Sequence, residues 1–149
     1  MASGRSQPPE IQLLVQVLDE AYDRKSWHGT NLRGSLRGLT AKQASWRPAV
    51  GRHNIWELTV HAAYWKYSVR RRLLDEQRGS FPLKGSNWFE RPQQGGATED
   101  AWRADLALLA DCHRTLRAAI ERLDPDVLNV VPRGSRTTLR ALLTGVAAH

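Results

Sequence analysis

Residues 53–65 have the sequence HNIWELTVHAAYW, which combines a helix start, the beginning of an apolar stripe and two histidines. Asn54 followed by Glu57 three positions later is a capping box, so a helix is predicted to begin here. His61 lies at the border of its apolar stripe, and the helix therefore carries a histidine at the edge of its buried face. The 3.6-residue period predicts that this stripe consists of Ile55, Leu58, Ala62, Trp65, Val69 and Leu73.

Upstream of this segment, the apolar pattern predicts one long helix and one short helical turn. The long helix is predicted to begin after the proline pair at residues 8–9 and to continue as far as Leu39. His28 falls on its inner face, although three glycines weaken its second half. A second capping box, Thr40 with Gln43, predicts the short turn that follows.

Downstream, a long connection and two more helices are predicted. Gly79 ends the helix that begins at Asn54, and the residues up to Ala97 have the proline and glycine content of a long crossing loop. Thr98 is predicted to cap a third long helix, whose acidic first turn suits the positive end of the helix dipole. Thr137 or its neighbour is predicted to cap the fourth, which has an inner stripe formed by Leu139, Leu142, Leu143 and Val146.

Four amphipathic helices with one long connection are typical of a four-helix bundle, so the predicted fold class is all-α. The length of 149 residues suits a single domain over residues 1–149. His149 lies three residues after Val146, on the same face of the fourth helix. His61 and His149 could therefore meet inside one bundle, where side chains from facing helices build metal sites.

The chain is basic, but its lysines and arginines do not form a single patch. The net charge is +7 at pH 7 and the isoelectric point is near 10.3. The densest cluster, Lys66 with the arginines at 70–72, lies on a helix, where successive side chains point about 100° apart. Asp75 and Glu76 dilute it further. A solvated helix face explains these charges best, so no nucleic-acid partner is predicted; strongly salt-dependent retention on DNA would indicate one.

Other sequence features favour a cytoplasmic protein. No run of 18 apolar residues is present, and the N-terminal segment lacks the apolar stretch of a signal peptide, so neither membrane insertion nor secretion is predicted. The single cysteine, Cys112, cannot form an internal disulfide and is interpreted as a small buried side chain. Phosphate loops, serine-hydrolase elbows and Cys-x-x-Cys pairs are missing from the sequence, so nucleotide hydrolysis, serine-hydrolase chemistry and dithiol redox chemistry are not predicted.

Three parts of the sequence together resemble the DinB/YfiT-like superfamily over the whole chain: HNIWELTVHAAYW at 53–65, WHG at 27–29 and LRALLTGVAAH at 139–149. The resemblance implies an up-up-down-down four-helix bundle, often a homodimer, with a divalent metal, commonly nickel or zinc. In that family three histidines hold the metal, one from the second helix and two from an H-x-x-x-H pair on the fourth. His61 matches the first histidine, and His149 matches the leading member of the pair.

The closing histidine of the pair would fall four residues after His149, beyond the end of this sequence, so the bundle is interpreted as truncated within its fourth helix. A continuation of the chain is the favoured source of the third ligand. The terminal carboxylate of His149 is a second possibility. A site that stays one ligand short and is impaired in metal binding is a third. A three-ligand site leaves one position for water, whose pKa zinc can lower to about 7.

The resemblance implies two activities on a small-molecule substrate. Some members are metal-dependent hydrolases, and relatives are S-transferases that activate a low-molecular-weight thiol such as bacillithiol or mycothiol. His28 is then either a core histidine or a polar, catalytic group beside the open metal position. His113 is interpreted as a core histidine and His53 as a loop side chain. A non-catalytic bundle that binds metal or a partner protein is the alternative.

Overall fold

A computed structural model describes residues 6–149, so residues 1–5, part of the segment argued to lack a signal peptide, lie outside the described residues. Helices account for the regular structure of that part of the chain, with a 3₁₀ turn at Pro125–Asn129. The α-helices are α1 (Pro9–Tyr22), α2 (Leu32–Leu36), α3 (Ala41–Ser45), α4 (Ile55–Leu73), α5 (Glu99–Ile120) and α6 (Leu139–Ala148).

The four longer helices form a bundle. Helix α1 packs against α5 and α6, and α4 packs against the same two helices, so the contacts run in a ring through α1, α5, α4 and α6. The predicted all-α four-helix bundle is therefore confirmed. Because α4 and α6 are neighbours in this ring, the helices that carry the two predicted ligand histidines lie side by side.

The predicted helix starts agree with the structure because each depends on local hydrogen bonds. Both members of the capping box at Thr40 and of that at Asn54 are formed. Thr98 caps α5 and Thr138, the neighbour of Thr137, caps α6. Residues 74–98, between α4 and α5, contain neither helix nor strand.

The prediction that the first helix continues to Leu39 is wrong. Helix α1 ends at Tyr22, and a tight turn follows in which Gly29 adopts a φ of +109°, a left-handed conformation that interrupts a helix. The Asn31 side chain then caps α2, because its Oδ1 accepts a hydrogen bond from the backbone N–H of Gly34 at 2.8 Å. His28 consequently lies in an exposed turn instead of on the inner face of a helix.

The buried face of α4 is also rotated relative to the predicted stripe. Leu58, predicted to be internal, is 49% exposed, whereas Trp56 is fully buried. The indole Nε1 of Trp56 donates to Asp105 Oδ2 on α5 at 2.5 Å, and Arg91 Nη2 contacts the same oxygen at 2.7 Å. Packing against both α5 and α6 widens the buried face of α4 beyond one stripe, which the apolar period cannot anticipate.

Two remaining predictions concern the membrane and the cysteine. Within residues 6–149, no helix combines the length and the apolar character that a membrane crossing requires. Cys112 is buried and free, and burial raises its thiol pKa to about 11. The thiol is therefore uncharged at neutral pH, which agrees with its interpretation as a small core side chain.

Candidate metal centre

His61 and His149 meet between α4 and α6. His61 is half-buried on α4, His149 follows the last turn of α6, and their Nε2 atoms lie 2.8 Å apart. Two nitrogens bound to one zinc at about 2.0–2.1 Å in a tetrahedron are about 3.3 Å apart, so a small movement would let both bind the same ion. The structure thus brings together the two residues that the sequence pattern singled out as ligands.

The imidazole of His61 is held in the orientation that metal binding requires. Its Nδ1–H donates to the backbone carbonyl oxygen of Asn87 at 2.7 Å, which leaves the lone pair on Nε2, facing His149. Metal-binding histidines commonly donate their second nitrogen to a carbonyl in this way, which fixes the tautomer. The donor chemistry of the pair therefore fits zinc or nickel, which imidazole nitrogen suits.

Asn87 owes this role to its place in the connection between α4 and α5. Its φ of +67° is left-handed, a conformation that asparagine tolerates better than most residues. Its side-chain Oδ1 also accepts a hydrogen bond from Trp65 Nε1 at 3.0 Å. Two hydrogen bonds therefore attach this loop residue to α4 beside the histidine pair. The sequence pattern did not indicate Asn87, because it lies 26 positions after His61.

Trp88 forms one wall of the site. Its indole stacks between His53 and His61, with ring centroids 3.5 Å and 3.8 Å apart and interplanar angles of 4° and 7°. His53 is in turn held by a 3.2 Å contact between its Nδ1 and Glu57. His53 is thus a loop residue as predicted, and the stack places it one ring away from His61.

His149 is favoured in its neutral form. Partial burial lowers its pKa below the ordinary value, and the neighbouring His61 and Lys66 lower it further. A neutral imidazole offers a lone pair, as a metal ligand must. Within residues 6–149, no third histidine, cysteine, aspartate or glutamate side chain forms a close ligand group with His61 and His149.

A second group of potential ligands lies between α1 and α5. Asp19, Asp23 and His113 place one ligand atom each within 4.8 Å of one another, so they form a possible divalent-metal site. His113 is buried, as predicted, and its Nε2 lies 3.2 Å from Asp19 Oδ1. However, Arg117 Nε contacts both carboxylate oxygens of Asp19, at 2.9 Å and 3.0 Å. An ion bound here would have to compete with this guanidinium for Asp19, whereas no arginine of the described residues 6–149 forms a hydrogen bond with His61 or His149.

Two cavities adjoin His149. One of about 190 Å³ is lined by His149, Lys66 and small side chains such as Ala62. The other, about 250 Å³, is a mainly apolar groove beside Trp65. Neither is lined by His28, so the part of the chain that the structure describes offers no contact in support of the predicted catalytic role of His28.

The comparisons with known proteins agree with this architecture. Searches of curated proteins and of solved structures gave no significant match. A family model described as the DinB superfamily matches residues 24–149, which include all helices from α2 to α6 and both histidines of the pair. Since this match covers well over half of the sequence, the chain belongs to the DinB superfamily.

Proposed function

We propose that this protein is a metal-dependent enzyme in which His61 and His149 bind a nickel or zinc ion that activates a thiol or a water molecule against a small-molecule substrate. The observation that carries the proposal is the 2.8 Å approach of the two Nε2 atoms, with His61 Nδ1 committed to the Asn87 carbonyl. A divalent ion in such a site supplies a Lewis acid that makes water or a thiol nucleophilic at neutral pH.

The residues around the pair have separate roles in this proposal. The Asn87 carbonyl orients His61, and the stacked Trp88 ring limits its rotation and shields one side from solvent. The cavity that His149 shares with Lys66 receives the substrate. A histidine placed four residues after His149 would offer a third ligand to the same ion, since residues at i and i+4 lie on the same face of a helix.

The metal assignment is tested by supplying that ligand. The chain is extended at its C-terminus with Ala-Ala-Ala-His, and a control is extended with Ala-Ala-Ala-Ala. Zinc affinity, measured by competition with a chromophoric chelator, should rise at least about 10-fold only in the histidine extension. His149→Ala should remove that gain. Equal affinities for the two extensions would refute the assignment to this pair.

The same extended protein separates an enzyme from a non-catalytic metal bundle. Turnover of an electrophilic test substrate with a panel of thiols, or its hydrolysis, should depend on metal and disappear in His61→Ala. Stoichiometric metal without turnover would favour the non-catalytic metal-binding bundle.

The zinc titration also tests the rival group of ligands, through Asp23→Asn. A loss of zinc binding in this variant, with the histidine variants unaffected, would place the metal centre at Asp19, Asp23 and His113.

We also propose that the protein is a homodimer without a nucleic-acid partner. The dimer is proposed because the DinB/YfiT-like resemblance implies one, and the absence of a nucleic-acid partner is proposed because the basic charge is scattered along the chain. Light scattering should give twice the chain mass, and retention on DNA should be weak at physiological salt. A monomer, or strongly salt-dependent binding to DNA, would contradict these proposals.

A further inference from the structure

Lys66 is a buried lysine without a bonded carboxylate. Only 4% of its surface is exposed, although lysine is almost never buried unless it is paired. Among residues 6–149, no carboxylate oxygen lies within 4.0 Å of its Nζ. The acidic side chains close enough to influence it are Asp19 and Asp23 on or beside α1. Arg117 binds Asp19 through both carboxylate oxygens, and Arg33 lies 3.7 Å from Asp23.

The other neighbours of Lys66 do not neutralise it either. The Cys112 thiol is uncharged, because burial raises its pKa to about 11. The ring of Tyr22, whose centroid is 5.5 Å from Nζ, offers a cation–π contact without a negative charge. Burial lowers the pKa of Lys66 to about 8, so the side chain is still mostly protonated at pH 7. The ammonium of this buried residue therefore lacks an anion in direct contact.

The cavity beside Lys66 reaches His149, one member of the histidine pair. Lys66 and His149 line the same space of about 190 Å³, and its other walls are mainly alanines such as Ala62 and Ala148. At about 30 Å³ for each water in the liquid, this space corresponds to about six water molecules. The volume of this cavity therefore suits a molecule of five or six heavy atoms.

We propose that Lys66 binds the carboxylate of a small substrate or cosubstrate whose reactive atom lies at the His61–His149 pair. A single ammonium matches the single charge of a carboxylate, and the small cavity suits a short carboxylic acid. The inference rests on the proposed function, which it deepens by naming the substrate class. Lys66 would thereby determine which thiols or substrates the site accepts.

The experiment compares mercaptoacetate with 2-mercaptoethanol, two thiols of similar size that differ in the carboxylate. Binding to the zinc-loaded protein with the Ala-Ala-Ala-His extension is measured by titration calorimetry at pH 7. We expect mercaptoacetate to bind at least about 10-fold more tightly, a ratio that corresponds to 1.4 kcal/mol. Lys66→Met should abolish the preference, Lys66→Arg should keep most of it, and Lys42→Met, at an exposed lysine on α3, should not change it.

The possible failures can be told apart. Equal binding of the two thiols, or a preference that survives Lys66→Met, overturns the carboxylate site and leaves the proposed function standing. If the zinc-loaded protein binds neither thiol, thiol activation fails, and the zinc-free protein then decides about Lys66. In that case acetate should shift the NMR resonances of residues around Ala62 and Ala148 in the wild type and not in Lys66→Met. Acetate-induced shifts that are equal in the two proteins, or absent from both, would refute the inference.

Discussion

The acid stability of the metal-free protein should depend on His113. This side chain is 5% exposed between α5 and α1, and burial lowers its pKa to about 4, with a further contribution from the charge of Lys66. In the unfolded chain an unperturbed histidine has a pKa of about 6.5. Between these two values the unfolded state binds a proton that the folded state does not. We predict that replacing His113 with glutamine removes this part of the acid sensitivity.

The sign and size follow from proton linkage. Stability rises with pH wherever the unfolded state binds more protons, so the histidine contributes no loss above about pH 6.5. As the pH falls, each unit costs about 1.36 kcal/mol, and the loss is complete near pH 4. His113 should therefore destabilise the fold by about 2 kcal/mol at pH 5 and by about 3 kcal/mol below pH 4.

Urea unfolding of the metal-free protein at pH 7 and pH 5 measures this effect. Groups common to both proteins, such as His149, contribute equally and cancel when wild type and His113→Gln are compared. The wild type should lose about 2 kcal/mol more than the variant between the two pH values. Equal losses would show that the buried imidazole does not resist protonation and would refute the reasoning.

The same variant tests which residues bind the metal. In the protein with the Ala-Ala-Ala-His extension, His113→Gln leaves the His61–His149 pair intact, so zinc affinity should stay within about threefold of wild type. A large loss of affinity would instead identify His113 as a ligand and would favour the cluster with Asp19 and Asp23.

Three further substitutions test the surroundings of the site and the core. Asn87→Ala places alanine in a left-handed conformation, which costs about 1–2 kcal/mol, and should weaken zinc binding about 10-fold. Glycine accepts that φ, so the zinc affinity of Asn87→Gly should stay within about threefold of wild type. Chelator competition measures both affinities. Asp105→Ala leaves Arg91 and the indole N–H of Trp56 without their acceptor and should cost about 3 kcal/mol in urea unfolding, and a cost below about 1 kcal/mol would contradict it. Thr98→Ala removes the α5 cap and should cost about 1 kcal/mol in the same assay, while the exposed Thr144→Ala should cost less.

The local determinants of the fold could be predicted from sequence because each depends on residues a few positions apart. The capping boxes at Thr40 and Asn54 are examples, since each cap and its partner are three residues apart. The end of α1 was not predicted, because an apolar period continues through residues 23–39 while Gly29 and Asn31 select a turn and a new cap. Periodicity and backbone conformation compete there, and the backbone preference prevails.

His61 and His149 could be selected from sequence, because each lies at a recognisable register of an amphipathic helix and matches the family pattern. Their 2.8 Å approach, however, depends on how α4 and α6 pack, and the Asn87 carbonyl reaches His61 only because the long connection folds back on α4. The isolation of Lys66 likewise exists only once α1, α4 and α6 close around it. Sequence alone therefore determined the capped helix starts and the two candidate ligand histidines. The tertiary structure decided which groups face each other, because burial and contact between distant residues follow from packing and not from local spacing.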